Sequence, residues 1–211
     1  MIERILPRGV AVQEAYGDLA GALLFPEEET AVARAVPKRR REYATTRHCA
    51  RIALRRLGHA PAPVLRGPNR EPLWPEGVVG ALTHCDGYRA AAVAWAGAPI
   101  ASLGIDAEPH LPLPDGVRET VTRPEELPHL AELAAREPEV HWDRLLFSAK
   151  ESVYKAWFPL ARSWLDFEDA TLRFTPSRRT FEASLHRTGP LTAVRGRWLI
   201  EGGLVVTSVV V

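Results

Sequence analysis

The amino-acid sequence predicts an α+β fold built as two halves, and three observations carry that reading. Each half contains one long helical segment, Pro37 to Gly58 in the first and Asp143 to Ala161 in the second. Strand-like runs cluster around these segments between Gly and Pro punctuation, without the one-for-one alternation of a parallel α/β sheet. The chain has 211 residues, 46% of them hydrophobic, so it can bury one core or two halves of about 100 residues each. The halves are taken as residues 1–103 and 104–211. No sequence repeat at a fixed period links them.

The elements follow in order. The segment from Pro37 to Gly58 opens on proline and closes on glycine, as helices tend to. Tyr43, Ala50, Leu54 and Leu57 form an apolar stripe, and Arg39, Arg40, Arg41, Arg47, Arg51, Arg55 and Arg56 occupy the other faces. A Pro/Gly-rich loop from Ala60 to Gly77 contains Arg66, Arg70, Glu71 and Pro72. Val78 to Thr83 reads as a strand. Tyr88 to Trp95 and Pro99 to Ile105 read as a hairpin around Ala96-Gly97-Ala98. Asp106 and Glu108 come where that last strand ends, and Pro109 to Pro114 is a break and a candidate boundary. Arg118 to Arg136 holds short helices interrupted by Pro124 and Pro128. After the second long helix the tail reads as strands: Ala170–Phe174, Thr180–Leu185, Arg197–Ile200 and Leu204–Val211, the last two joined by Glu201-Gly202-Gly203.

Bulk composition excludes several classes. The formal net charge is +1, so a nucleic-acid or membrane partner would need a local basic patch. No apolar run reaches the roughly 18 residues of a membrane span. The start, MIERILPRGV, has no apolar signal core. Cys49 and Cys85 show no metal or redox spacing and read as reduced thiols, Cys49 as a core residue. The expected compartment is the cytoplasm.

The candidate chemistry lies in the acids and the rare lysines. Residues two apart on a strand face the same way, so Asp106 and Glu108 can address one site with Ala107 turned aside. With Glu151 they would make three hard oxygen ligands suited to Mg²⁺. Glu151 and Lys155 are four apart and share a helix face. Of 27 basic residues only Lys38, Lys150 and Lys155 are lysine, and two of these fall within FSAKESVYKAW. In an arginine-rich chain a lysine marks a place where a compact ammonium serves and a planar guanidinium does not. His84, where a strand enters a turn near arginines, can donate to a phosphate. Each feature also has a plain structural reading: solvated turn acids, a surface ion pair, solubilising arginines, a structural histidine. An acid triad could equally serve a Mg²⁺-dependent nucleotide phosphodiesterase or pyrophosphatase with water as nucleophile. The arginine helix could bind nucleic-acid phosphates, though that leaves the second-half acids and lysines idle and offers no aromatic stacking platform.

Taken together, the motifs resemble a known family. Gly104 to Glu108 (GIDAE) followed by Phe147 to Lys155 (FSAKESVYK) resembles the signature of Sfp-type 4′-phosphopantetheinyl transferases. The upstream pieces RRREYATTRHCARIAL, NREPLWP and GALTHCDGY match in order, nearest to the actinobacterial PptT-like and EntD-like group. The resemblance runs from about Lys38 to the C-terminus. It implies two similar α+β halves related by a pseudo-two-fold axis, with the ligand cleft between them. It implies transfer of 4′-phosphopantetheine from coenzyme A to a serine of apo acyl or peptidyl carrier proteins in fatty-acid, polyketide or nonribosomal-peptide synthesis, by a monomeric holo-[acyl-carrier-protein] synthase that binds neither nucleic acid nor membrane. Mg²⁺, replaceable by Mn²⁺, would be held by Asp106, Glu108 and Glu151. Glu151, or a metal-bound water, would accept the serine proton, and Lys155 would act on the pyrophosphate, with Lys150 near the phosphates. Arg39, Arg47 and His84 would grip the 3′-phosphate, with Arg66 also on phosphate and Thr83 in the coenzyme site. Arg70, Glu71 and Pro72 match the loop that holds adenine. The choice among Arg39, Arg40 and Arg41 stays open.

Overall fold

Two antiparallel sheets, each backed by one 20-residue helix, organise the chain in a computed structural model that describes all 211 residues. In the first half, β1 (Ala11–Tyr16), β4 (Val78–Cys85) and β5 (Tyr88–Trp95) form a sheet of order β1-β5-β4. Helix α2 (Pro37–Arg56) packs on it, preceded by the short α1 (Pro26–Glu29). Between α2 and β4 lies a small ribbon of β2 (Leu65–Arg66) and β3 (Pro72–Leu73). The second half begins with β6 (Leu103–Pro109), then α3 (Val117–Val121), α4 (Leu127–Arg136) and α5 (Trp142–Ala161). Strands β7 (Ala170–Thr175), β8 (Thr180–Leu185), β9 (Ala193–Glu201) and β10 (Leu204–Val210) complete a sheet of order β6-β10-β9-β8-β7.

The strand β5, YRAAAVAW, shows why the halves cohere. A strand alternates its faces. Ala91 and Val93 enter a core with Cys49, Ala53 and Leu54 of α2. Ala90, Ala92 and Ala94 enter a second core with Ile105 and Ala107 of β6 and Val206 of β10. That second core is lined by both sheets, so burial on both faces of β5 explains its apolar run from Ala90 to Ala94. A third core lies under α5, around Trp142, Leu145, Trp157, Phe181 and Val205.

Three expectations from sequence need correction. Tyr88–Trp95 and Pro99–Ile105 do not form a hairpin. Both edges of β5 are taken by β1 and β4, the latter turning through Asp86-Gly87, while β6 pairs with the C-terminal β10. Strand β1, more than 70 residues before β5 in the chain, takes the edge that a local hairpin would need. Asp106 and Glu108 sit inside β6, paired with Thr207 and Val205, and not beyond its end. The Pro109–Pro114 break is not a boundary: Leu113 N donates to Asp143, and Arg144 of α5 donates to Leu111 O and Pro112 O. No helix is long and apolar enough to cross a membrane.

Candidate active site

Between the halves lies a cleft of about 940 Å³ whose walls include α2, the β2–β3 ribbon, β4, β6 and α5. Arg39, Arg47, Arg66, Arg70, Glu71, Pro72, Thr83 and His84 line it from the first half, and Asp106, Glu108, Glu151 and Lys155 from the second.

Gly104 sets the geometry of the second wall. A Cβ at this position would stand 2.0 Å from Ser152 O and 2.7 Å from Ala156 N, so only glycine lets α5 lie directly on β6. Ser102 Oγ donates to Ala156 O at 2.8 Å, and Thr207 Oγ1 of β10 donates to Ser148 O at 2.8 Å. Gly104, Asp106 and Glu108 share one face of β6, while Ile105 and Ala107 point into the central core. The close approach brings Lys155 Nζ to 2.7 Å from Asp106 Oδ1, with a second bond of 3.2 Å to Ile105 O.

The three acids share the cleft, yet no three His, Cys, Asp or Glu side chains are gathered tightly enough to enclose a cation. Cations instead hold two of them: Lys155 holds Asp106, and Arg144 Nη1 holds Glu108 Oε2 at 2.8 Å. Negative charge is nonetheless in surplus here. Burial, with Asp106 adding, pushes Glu108 up to about 7 against the pull of Arg144. Burial also raises Glu151, opposed by Lys155 and reinforced by Asp106. Burial depresses Lys155, but Asp106 and Glu151 outweigh it, so its proton is held more tightly than usual. Asp106 Oδ2 is buried with no partner, an orphan acceptor at the centre of the group. Hard oxygen donors, a carboxylate surplus and an unsatisfied buried oxygen fit a divalent cation of the Mg²⁺ type.

The first wall is cationic. Arg47 is almost wholly buried; its Nε donates to Val64 O at 2.8 Å and its guanidinium lies over the Tyr43 ring at 4.0 Å. Burial lowers its pKa from the usual arginine value. Burial, and then Arg39, lower His84, with Glu42 opposing. Among the consecutive arginines, Arg39 lines the cleft. Arg40 pairs with Glu29, and Arg41 with Asp18 at 3.3 Å. Arg66 and Arg70 are exposed on the ribbon, Arg70 in a left-handed conformation at φ 71. Glu71 folds back on its own turn and accepts from Asn69 N at 2.9 Å, and its carboxylate fills the space beside Gly67. Thr83 uses its hydroxyl inward, accepting from Ala107 N at 3.0 Å and donating to Asp106 Oδ1 at 3.3 Å, so it bears on the site through Asp106.

Lys150 is placed differently from the expectation. It does not line the cleft. One residue before Glu151 on a helix is a turn of about 100°, and Lys150 points into the body of the second half, where Glu126 holds it at 2.9 Å. Its assignment beside the phosphates is therefore withdrawn.

Two groups escaped sequence reading. Arg144 shares a face of α5 with Ser148, Glu151 and Lys155, and this 7-residue spacing was a usable signal. The aromatic wall of Tyr154, Phe158 and Trp164, with Tyr154 and Trp164 rings 4.7 Å apart, had no such signal, because Trp164 returns to the cleft only after α5 ends. Cys85, beside His84, is pushed up to about 12 by burial, with Glu108 and Asp106 adding, and Cys49 to about 11 in the core; both thiols are inert at neutral pH.

Comparison with known proteins identifies the family. Residues 27–94 match the 4′-phosphopantetheinyl transferase N-terminal domain, and residues 102–208 match the 4′-phosphopantetheinyl transferase superfamily. The 4′-phosphopantetheinyl transferase Svp of Streptomyces mobaraensis is 54% identical over 100% of this chain and 89% of its own length. The 4′-phosphopantetheinyl transferase PptT of Mycobacterium tuberculosis is 47% identical over 100% of this chain and 97% of its own. The enterobactin synthase component D of Salmonella typhi is 30% identical over 82% of this chain and 72% of its own.

Proposed function

We propose a residue-level reaction from one premise: the chain belongs to the 4′-phosphopantetheinyl transferase superfamily. It is an enzyme that transfers phosphopantetheine from coenzyme A to carrier proteins. The observation that carries the residue assignment is the division of charge across one cleft. Arg39, Arg47, Arg66 and His84 stand on one wall, and three carboxylates with Lys155 stand on the other. Coenzyme A presents a 3′-phosphate and a pyrophosphate apart from each other; the first wall would take the 3′-phosphate, and the second would take the pyrophosphate through Lys155 and a divalent cation held by the acids.

In the reaction the carrier serine oxygen bonds to the phosphorus that bears the pantetheine arm. The bond from that phosphorus to the bridging oxygen breaks, and adenosine 3′,5′-bisphosphate leaves with the electron pair. Glu151, which faces the cleft on the same helix face as Lys155, takes the serine proton. Lys155, firmly protonated, stabilises charge on the leaving oxygen. Arg39, Arg47 and His84 hold the 3′-phosphate, and Arg66 adds a further cation. Arg70 and Pro72 flank the adenosine, while Glu71 keeps their turn in shape. Asp106, Glu108 and Glu151 would hold Mg²⁺, which when bound neutralises the pyrophosphate and polarises its phosphorus.

Both walls come from one chain, which supports a monomer. Two free thiols, Cys49 and Cys85, support a cytoplasmic setting. The test is incubation with coenzyme A, Mg²⁺ and a panel of fatty-acid, polyketide and nonribosomal-peptide carriers, read by intact mass. A gain of one phosphopantetheine per carrier is expected. Hydrolysis of coenzyme A with every carrier unchanged would instead identify a phosphodiesterase.

A further inference from the structure

We infer that the buried Lys150–Glu126 ion pair fixes the rotation of α5 and so places Glu151 and Lys155 in the cleft. This makes Lys150 and Glu126 positioning residues, and it rests on the roles of Glu151 and Lys155 proposed above.

Lys150 Nζ donates to three acceptors from three segments: Val121 O at 2.8 Å, Glu126 Oε2 at 2.9 Å and Phe167 O at 2.9 Å. An ammonium has three donors, so none is left over. Glu126 is equally engaged: Oε1 accepts from Leu172 N at 2.7 Å and Oε2 from Arg123 N at 2.8 Å. The two side chains are 2% and 1% exposed. One charged node thus joins α5 to the end of α3, the turn before α4, the turn before β7, and β7 itself.

Stability alone does not account for the node. A buried ion pair is commonly no more stabilising than apolar side chains of similar volume, because desolvation cancels most of the attraction. What it adds is direction. On its β6 side, α5 is held by close backbone packing at Gly104 and by the hydroxyls of Ser102 and Thr207. On the far side, apolar contacts tolerate a small rotation, whereas three acceptors converging on one nitrogen do not. Glu151 follows Lys150 directly, and Lys155 lies just over one turn further along. An error in rotation is carried straight to both. The requirement also explains lysine in an arginine-rich chain, since a planar guanidinium cannot direct its donors to acceptors gathered around a point.

The test uses two variants of the full chain, Lys150→Met/Glu126→Leu and Glu126→Asp. Carrier modification is followed by intact mass at varied coenzyme A, beside thermal unfolding. The first variant is charge-neutral and close in volume; the second keeps the pair and shortens it by one methylene. Glu126→Asp should unfold within a few degrees of the parent, whereas the double variant, which also strands Arg123 N, Leu172 N, Val121 O and Phe167 O, should unfold at a clearly lower temperature. Both should keep the parent KM for coenzyme A, because the proposed phosphate grips lie in the first half. The double variant should lose tenfold or more in kcat, and Glu126→Asp severalfold. Parent kcat in either folded variant overturns the inference, as does a loss that appears in KM alone. If the double variant does not fold, Glu126→Asp decides. A crystal structure of a variant reads the inference without turnover: Lys155 Nζ should leave Asp106, and a retained contact overturns the inference. A parent chain that leaves carriers unmodified would count against the proposed reaction instead, and that structure would still report on α5.

Discussion

Helices α2 and α5 are equally long and face the same cleft, yet they handle charge in opposite ways. Helix α2 carries its arginines mostly in solvent, where Arg40 and Arg41 form exposed pairs with Glu29 and Asp18. Only Arg47 is buried, and it is the one whose pKa burial lowers. Helix α5 carries few charges, but Lys150, Glu151 and Lys155 all sit in or against packed protein. Exposed pairs contribute about 0–1 kcal/mol and are screened by salt. Charges in a site shielded from water act at lower effective dielectric, and in a transition state they are worth several kcal/mol. On the proposed reaction, this difference in burial corresponds to binding on α2 and chemistry on α5.

The largest effect should break the α5 side. Asp106→Asn keeps the shape and removes the charge at the centre of the acid group. It should reduce kcat by about 10²–10³-fold while the chain stays folded, and excess chelator should do the same to the parent. Full turnover under either condition, measured by carrier mass, removes the metal assignment.

Next comes Lys155. Lys155→Ala should cut kcat by tenfold or more in protein that remains folded, and its melting temperature should also fall, because buried Asp106 loses its cation. Lys155→Arg keeps the charge and changes its shape, so it should restore coenzyme A binding better than turnover. A parent rate in Lys155→Ala would return the residue to a structural role and erase the contrast between the helices.

The α2 side should respond in affinity. Arg47→Ala should weaken coenzyme A by about 1.5–3 kcal/mol, since a charged hydrogen bond is lost from a buried position. Binding of dephospho-coenzyme A, which lacks the 3′-phosphate, should fall much less. Arg39→Ala should cost less than Arg47→Ala, because Arg39 is about half exposed and partly shared with Glu42 at 3.5 Å. Equal calorimetric affinity of the parent for the two ligands would remove all three proposed grips.

The smallest effect sharpens the comparison. Arg40→Ala and Arg41→Ala should each change coenzyme A affinity by less than about 0.5 kcal/mol, since both arginines are paired away from the cleft. A loss as large as that of Arg47→Ala would show that the cationic face acts as a whole and not through named contacts.

Legible in the residues alone were the α+β class, both long helices to within a few residues, the tail strands, and the shared faces of Asp106 with Glu108 and of Glu151 with Lys155; the cleft came from the family resemblance. The former are local properties: helical and strand periods, proline and glycine punctuation, and the facing of residues two apart on a strand or four apart on a helix. Tertiary structure alone decided the rest. It made β5 a central strand and gave β6 to β10, because strand pairing depends on segments far apart in the chain. It chose Arg39 over Arg40 and Arg41 for the cleft, and it turned Lys150 from a phosphate contact into a buried anchor. Lys150 and Lys155 look alike in sequence. What separates them is 140° of helix rotation beyond a full turn at about 100° per residue, and the rotation has meaning only once Glu126 packs on one side of α5 and Asp106 on the other.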